Sequence, residues 1–110
     1  MTITCFIRYE IDPFRQDAFK AYARNWGQAI PRCGADLIGY FAPHEGSSTT
    51  AYGIYNIDSL AAYEAYRARL REDEAARETF AFAGRERFIR REDRIFLRLI
   101  SAPHAAQAQP

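Results

Sequence analysis

Short stretches of alternating apolar and polar residues, separated by longer ones whose apolar residues recur every three to four positions, leave this chain few folds to choose from. In residues 2–11, Ile3, Cys5, Ile7, Tyr9 and Ile11 point one way and Thr4, Phe6, Arg8 and Glu10 the other, the period of a β-strand. Asp12-Pro13 reads as the stop of that strand and the start of a helix, since aspartate caps free N–H groups and proline suits the first turn. Phe19, Tyr22, Ala23, Trp26, Ala29, Ile30 and Cys33 then mark one helical face, ended or kinked at Pro31 and turned out at Gly34. Residues 36–43 and 50–57 predict two more strands around a polar connection, His44 to Thr49. Gly39 and Gly53 inside those strands imply a bulge or a close contact. Asp58-Ser59 caps a second helix through Leu60, Tyr63, Tyr66, Arg67 and Leu70; Glu72-Asp73-Glu74 breaks it, and a shorter helix runs through Phe80 to Gly84. Ile95, Leu97 and Leu99, alternating with Arg94, Phe96 and Arg98, predict the last strand.

The order β-α-β-β-α-(α)-β is the split βαβ arrangement of ferredoxin-like α+β folds. Such a chain makes a four-stranded antiparallel sheet with its helices on one face. The aliphatic set of the first strand belongs under the helices. The uncovered face would then carry Phe6 and Arg8 with Phe96, Arg98 and Ile100, an apolar patch that a second copy of the chain would cover. A homodimer through that face is the expectation. Residues 1–101 form the domain, and the tail 102–110 lacks any apolar period and is expected to be flexible.

Composition excludes several classes of function. Fifteen basic and fourteen acidic side chains give a formal charge of +1, and the arginines of 67–94 are interleaved with acids. That mixture suits a wet helical surface and leaves no basic stripe for nucleic acid. The cysteines, Cys5 and Cys33, have neither CxxC spacing nor zinc-site partners and read as two buried reduced thiols. No signal sequence and no apolar run of ~20 residues are visible, so a cytoplasmic location away from membranes is expected. Nothing resembles a phosphate loop, a nucleophile elbow, a carboxylate metal cluster or a haem site, and no cofactor or metal is expected.

Three segments carry a family resemblance: Leu37-Ile38-Gly39-Tyr40-Phe41-Ala42-Pro43-His44-Glu45-Gly46; Ser59 to Leu70, with its Tyr66-Arg67-Ala68-Arg69-Leu70 end; and Arg87-Phe88-Ile89. Together the chain from residue 2 to about 100 resembles the NIPSNAP family of the dimeric α/β-barrel superfamily. The resemblance implies a homodimer whose two sheets meet as a barrel. It does not choose a chemistry, because that superfamily spans cofactor-free monooxygenases, haem-handling proteins and stress-response domains.

Several groups are candidates for a site. His44 and Glu45 form one: a histidine exchanges protons near neutral pH and a neighbouring carboxylate can assist it, although Gly46 equally makes this a plain turn. Trp26 and Asn25, with Tyr22, could wall a pocket for an aromatic molecule, as in the cofactor-free oxygenases of that superfamily, or Trp26 is core. Tyr63, Tyr66, Arg67 and Arg69 lie within two turns of one helix, and Arg67 would anchor an acidic ligand or pair with a carboxylate. Tyr40 would be a further wall, with Tyr52 and Tyr55 lining either the cavity or the dimer seam. The expected function is binding of a small aromatic or acidic molecule between helices and sheet, with cofactor-independent oxygenation or proton transfer through His44 as the accompanying chemistry. The competing expectation is a non-catalytic interaction or stress-response module whose pocket its own side chains fill.

Overall fold

A computed structural model describes residues 2–101. The expected flexibility of 102–110 lies outside the described residues. The elements are β1 (Ile3–Ile11), α1 (Gln16–Arg32), β2 (Asp36–Phe41), β3 (Thr50–Ile57), α2 (Leu60–Glu72), α3 (Glu74–Glu86) and β4 (Ile89–Leu97). The strands pair antiparallel in the order β2-β3-β1-β4, the ferredoxin-like sheet with β1 and β3 at its centre.

The first strand behaves as its alternation dictates. Cys5, Ile7, Tyr9 and Ile11 are buried beneath the helices with Ala51, Tyr55 and Ile57 of β3. Against them α1 lays Phe19, Tyr22, Trp26, Ala29 and Ile30, and α2 lays Tyr63, Tyr66 and Leu70. Each of the larger of these side chains contributes roughly 2 kcal/mol over leaving it in water. Phe88, with no exposure, plugs the end of the core at the entrance to β4.

The three helix starts differ in mechanism. Ser59 caps α2 by accepting from the Ala62 N–H, and Asp73 both ends α2 and caps α3 by accepting from the Ala76 N–H. Asp12 instead accepts from the Phe14 N–H while its own N–H bonds the Phe88 carbonyl, so Asp12-Pro13 forms a turn and α1 begins only at Gln16. Pro31 sits inside the last turn of α1, which runs on to Arg32.

The structure corrects the phase of the last strand. β4 begins at Ile89, well before the expected stretch, and Phe96 pairs with Cys5 while Ile95 pairs with Phe6. Residues opposite one another across a ladder share a face. Phe96 therefore lies on the helix side, where its ring meets Tyr63 edge-on with centroids 4.8 Å apart. Arg98 follows the end of the strand and is exposed. The uncovered face carries Phe6, Tyr52, Ile54 and Phe41 with Ile95 and Leu97, the last two 52% and 45% exposed. Phe6 and Arg8 hold the outward positions expected of them; Phe96 does not.

Candidate functional site

Between the sheet and the helices lies a cavity of about 230 Å³. Ile7 and Tyr9 of β1, Tyr40 of β2 and Tyr55 of β3 form its floor. Tyr22, Trp26 and Ile30 of α1 and Tyr66, Arg67 and Leu70 of α2 form its walls, Phe80 of α3 stands over Trp26, and Glu92 and Arg94 of β4 close one side. A cavity of roughly 150 Å³ takes a benzene ring, so this one has room for one or two fused rings.

The aromatic packing is cross-braced. Tyr22 meets Trp26 at 84° and Phe88 at 83°, and Trp26 meets Phe80 at 72°, with centroids 4.9 to 5.9 Å apart. Edge-to-face contacts of this kind fix ring orientation as well as filling space. The hydroxyls of Tyr9 and Tyr40 lie 3.2 Å apart and share one hydrogen bond. Burial raises the pKa of the Tyr9, Tyr22, Tyr40, Tyr55 and Tyr66 phenols above the ordinary value, so each stays neutral at physiological pH. They serve as hydrogen-bonding groups and not as bases.

Charge is confined to the rim. Arg94 donates to Glu92 Oε2 at 2.6 Å and to the Tyr63 hydroxyl at 2.9 Å, so the carboxylate in the wall is already engaged. Burial works against the Arg94 charge, but these two partners outweigh it and raise its pKa above the ordinary value. Arg67 places its guanidinium 5.8 Å from the centre of the Tyr63 ring and makes no ion pair among the described residues. Two cations against one anion leave the rim net positive.

Of the residues singled out in the sequence, the fold brings Trp26, Tyr40 and Arg67 together around the cavity, with Tyr63 behind them as the surface on which Arg67 and Arg94 rest. It keeps three others apart. Asn25 is exposed on α1, one residue off the buried stripe. His44 and Glu45 are exposed on the β2–β3 connection, outside the cavity lining, and Gly46 at φ 91° supplies the turn that follows them. Tyr55 faces the cavity and Tyr52 the outer surface, against Phe6. The sequence reading missed Tyr9, Phe80, Glu92 and Arg94, whereas Tyr66, singled out beside Tyr63 and Arg67, lines the cavity. Tyr9 could have been found, since it is the one polar-tipped residue on the buried parity of β1.

A model of the NIPSNAP family matches residues 4–103. Among solved structures, a NIPSNAP-like domain protein from Burkholderia xenovorans superposes with a TM-score of 0.73 at 22% identity, covering 93% of this chain and 89% of that one. A NIPSNAP family protein from Agrobacterium tumefaciens gives 0.69 at 23% identity, covering 94% and 98%. A candidate antibiotic biosynthesis monooxygenase from Nitrosomonas europaea gives 0.69 at 13% identity, covering 92% and 100%. At these identities the likeness is one of fold. No curated protein matches the chain.

Proposed function

Since the chain belongs to the NIPSNAP family, we propose that it is a binding domain that holds a planar, acidic aromatic molecule of one or two rings between its helices and its sheet, working as a homodimer. The carrying observation is the pairing of an open, ring-walled cavity with an arginine, Arg67, that makes no ion pair among the described residues. Rings supply stacking surface, and the exposed Arg67 guanidinium at the cavity mouth supplies positive charge that attracts an anion. The open volume argues against the module reading in which the chain's own side chains fill this space. Two unpaired buried thiols, Cys5 and Cys33, suit a reducing cytoplasm.

Binding is a better account than turnover. The monooxygenase description belongs to the Nitrosomonas protein. In the present chain the cavity offers neutral phenols and one carboxylate held by Arg94, and His44 stands on the outside. The dimer is supported by the outer sheet face, where Phe6, Ile54, Ile95 and Leu97 have no cover within the described chain.

Isothermal titration of benzoate, 2-naphthoate and biphenyl-4-carboxylate tests the binding reading. At least one should bind, 2-naphthoate being the best fit in size, and Arg67→Gln should weaken it roughly tenfold, the loss of one charge-assisted contact. Absence of binding by every acid, or an Arg67→Gln protein that binds as tightly as wild type, overturns it.

A further inference from the structure

Glu92 is the one carboxylate in the cavity lining among the described residues, and only half of it is in use. Its Oε2 accepts from Arg94 at 2.6 Å, whereas its Oε1 has no hydrogen-bond partner among the described residues. Glu92 stands opposite Tyr9 in the β1–β4 ladder, so its side chain lies on the helix side of the sheet. Its negative charge adds to the burial that keeps Tyr9, Tyr22 and Tyr40 un-ionised, as expected of a carboxylate close to these rings. The side chain is 34% exposed, so an entering molecule can reach it. Arg67, without an ion pair among the described residues, lines the same cavity. The mouth therefore presents an unmet acceptor as well as an unmet cation.

We infer that the ligand is an aromatic acid with an amino group beside its carboxylate, the carboxylate lying against Arg67 and an amine N–H donating to Glu92 Oε1; this deepens, and rests on, the binding reading above. A carboxylate oxygen can only accept, so its partner must bring a proton. Charge balance selects the kind of donor. Arg67 and Arg94 against Glu92 leave a surplus of positive charge, which the ligand's carboxylate cancels. An alkyl ammonium would restore that surplus, whereas an arylamine is uncharged at neutral pH and still donates. A hydroxyl beside the carboxylate has a single proton, which its own carboxylate takes up. An amine has two and keeps one for Glu92. Its nitrogen also stays conjugated with the ring, so the molecule remains flat between the aromatic walls.

Isothermal titration of 3-amino-2-naphthoate, 3-methyl-2-naphthoate and 2-naphthoate tests this, since a methyl group matches the amino group in size and cannot donate. In wild type the amino compound should bind roughly fivefold tighter than the methyl compound, a modest gain because the acceptor is charged but in contact with water. Glu92→Gln keeps an acceptor for Arg94 and removes the charge. It should shrink that advantage below about twofold. The same variant should bind 2-naphthoate at least as tightly as wild type does, because a repelling carboxylate has gone, and that binding also shows that it is folded. Equal affinity for the amino and methyl compounds in wild type, or an undiminished advantage in Glu92→Gln, overturns the inference while leaving acid binding intact. If Glu92→Gln binds none of the three, the wild-type comparison decides: an advantage there upholds the inference and its absence overturns it. Failure of all three acids to bind wild type takes the binding reading down with it.

Discussion

The ring of Tyr40 lies across Gly53 on the neighbouring strand so closely that a Cβ there would stand 2.7 Å from Cε1 of the ring. The absent side chain is what lets Tyr40 reach inward to the Tyr9 hydroxyl and form the cavity floor. Gly53→Ala should therefore lose stability. Overpacking a tight contact costs about 1–3 kcal/mol, against about 0.5–1 kcal/mol regained by removing a glycine from a strand. In a Tyr40→Ala background the clash is gone, so Gly53→Ala should become neutral or slightly stabilising. Urea denaturation of the four proteins of this cycle checks the sign change. Equal cost in both backgrounds would show that the ring does not depend on the glycine.

Gly53 also shows what could be read from the chain alone. A glycine inside a strand signals a bulge or a close approach, and here it is the approach, while the Leu37/Gly39 shift in the β2–β3 ladder is the bulge. Element order and the buried parity of β1 were equally legible, because one face of that strand is aliphatic and helix-covered. β4 was not. Ile95 and Leu97 point outward and Phe96 inward, so both faces of this edge strand are apolar and alternation cannot fix its phase. The same error hid Glu92 and Arg94, which share the inward parity of Phe96 and close the cavity. His44 and Glu45 stand apart from the cavity for a different reason. Their residue types carry chemistry, but only the fold decides that their connection stays outside the cavity.

Asp73 links three elements and should make stability sensitive to acid. Arg32 of α1 donates to both its oxygens at 2.9 Å, the Ala76 N–H donates to it, and Cys33 lies at 3.7 Å. The Arg32 hydrogen bonds, helped by the Ala76 N–H, hold its carboxyl well below the usual carboxylate range. A folded-state pKa below the unfolded one contributes stability that is present above the unfolded value, about 4. That contribution is lost as pH falls from there toward the folded value. Asp73→Asn should lower Tm at pH 7, and the gap to wild type should narrow steadily below about pH 4, where the carboxyl of the unfolded chain takes up a proton that the folded one still refuses. Calorimetry across pH 2.5–7, with the range chosen around that carboxylate value, checks it. A gap of constant size would mean that the carboxylate charge does not cause the difference.

The outer sheet face gives a prediction that depends on the corrected phase of β4. Ile95 points away from the helices opposite Phe6, whereas its neighbour Phe96 points toward Tyr63. If two sheets meet through this face, Ile95→Arg places a charge in the seam, at a cost of several kcal/mol unless paired. It should convert the dimer to monomer in sedimentation equilibrium without altering the circular dichroism. Phe96→Leu, on the other face, should leave the association state alone and lower Tm instead. Reversal of the two outcomes would return β4 to the phase its sequence suggests; a monomeric wild type would remove the dimer altogether.

Tyr40 separates the main cavity from a second one of about 230 Å³ between α1 and the edge of β2, lined by Phe19, Lys20, Ala23, Arg24 and Ala42. The ring belongs to the walls of both, and its hydroxyl is tied to Tyr9 on the inner side. Removing it should join the two spaces while leaving Arg67 on α2 in place. Tyr40→Ala is accordingly expected to bind biphenyl-4-carboxylate at least tenfold tighter than wild type does, while 2-naphthoate, which never reaches the partition, loses less than threefold. The loss of a half-buried phenol should cost about 2–3 kcal/mol of stability, so the titration belongs at a temperature well below the variant's Tm. Unchanged preference between the two acids would place the ligand elsewhere in the cavity, away from β2.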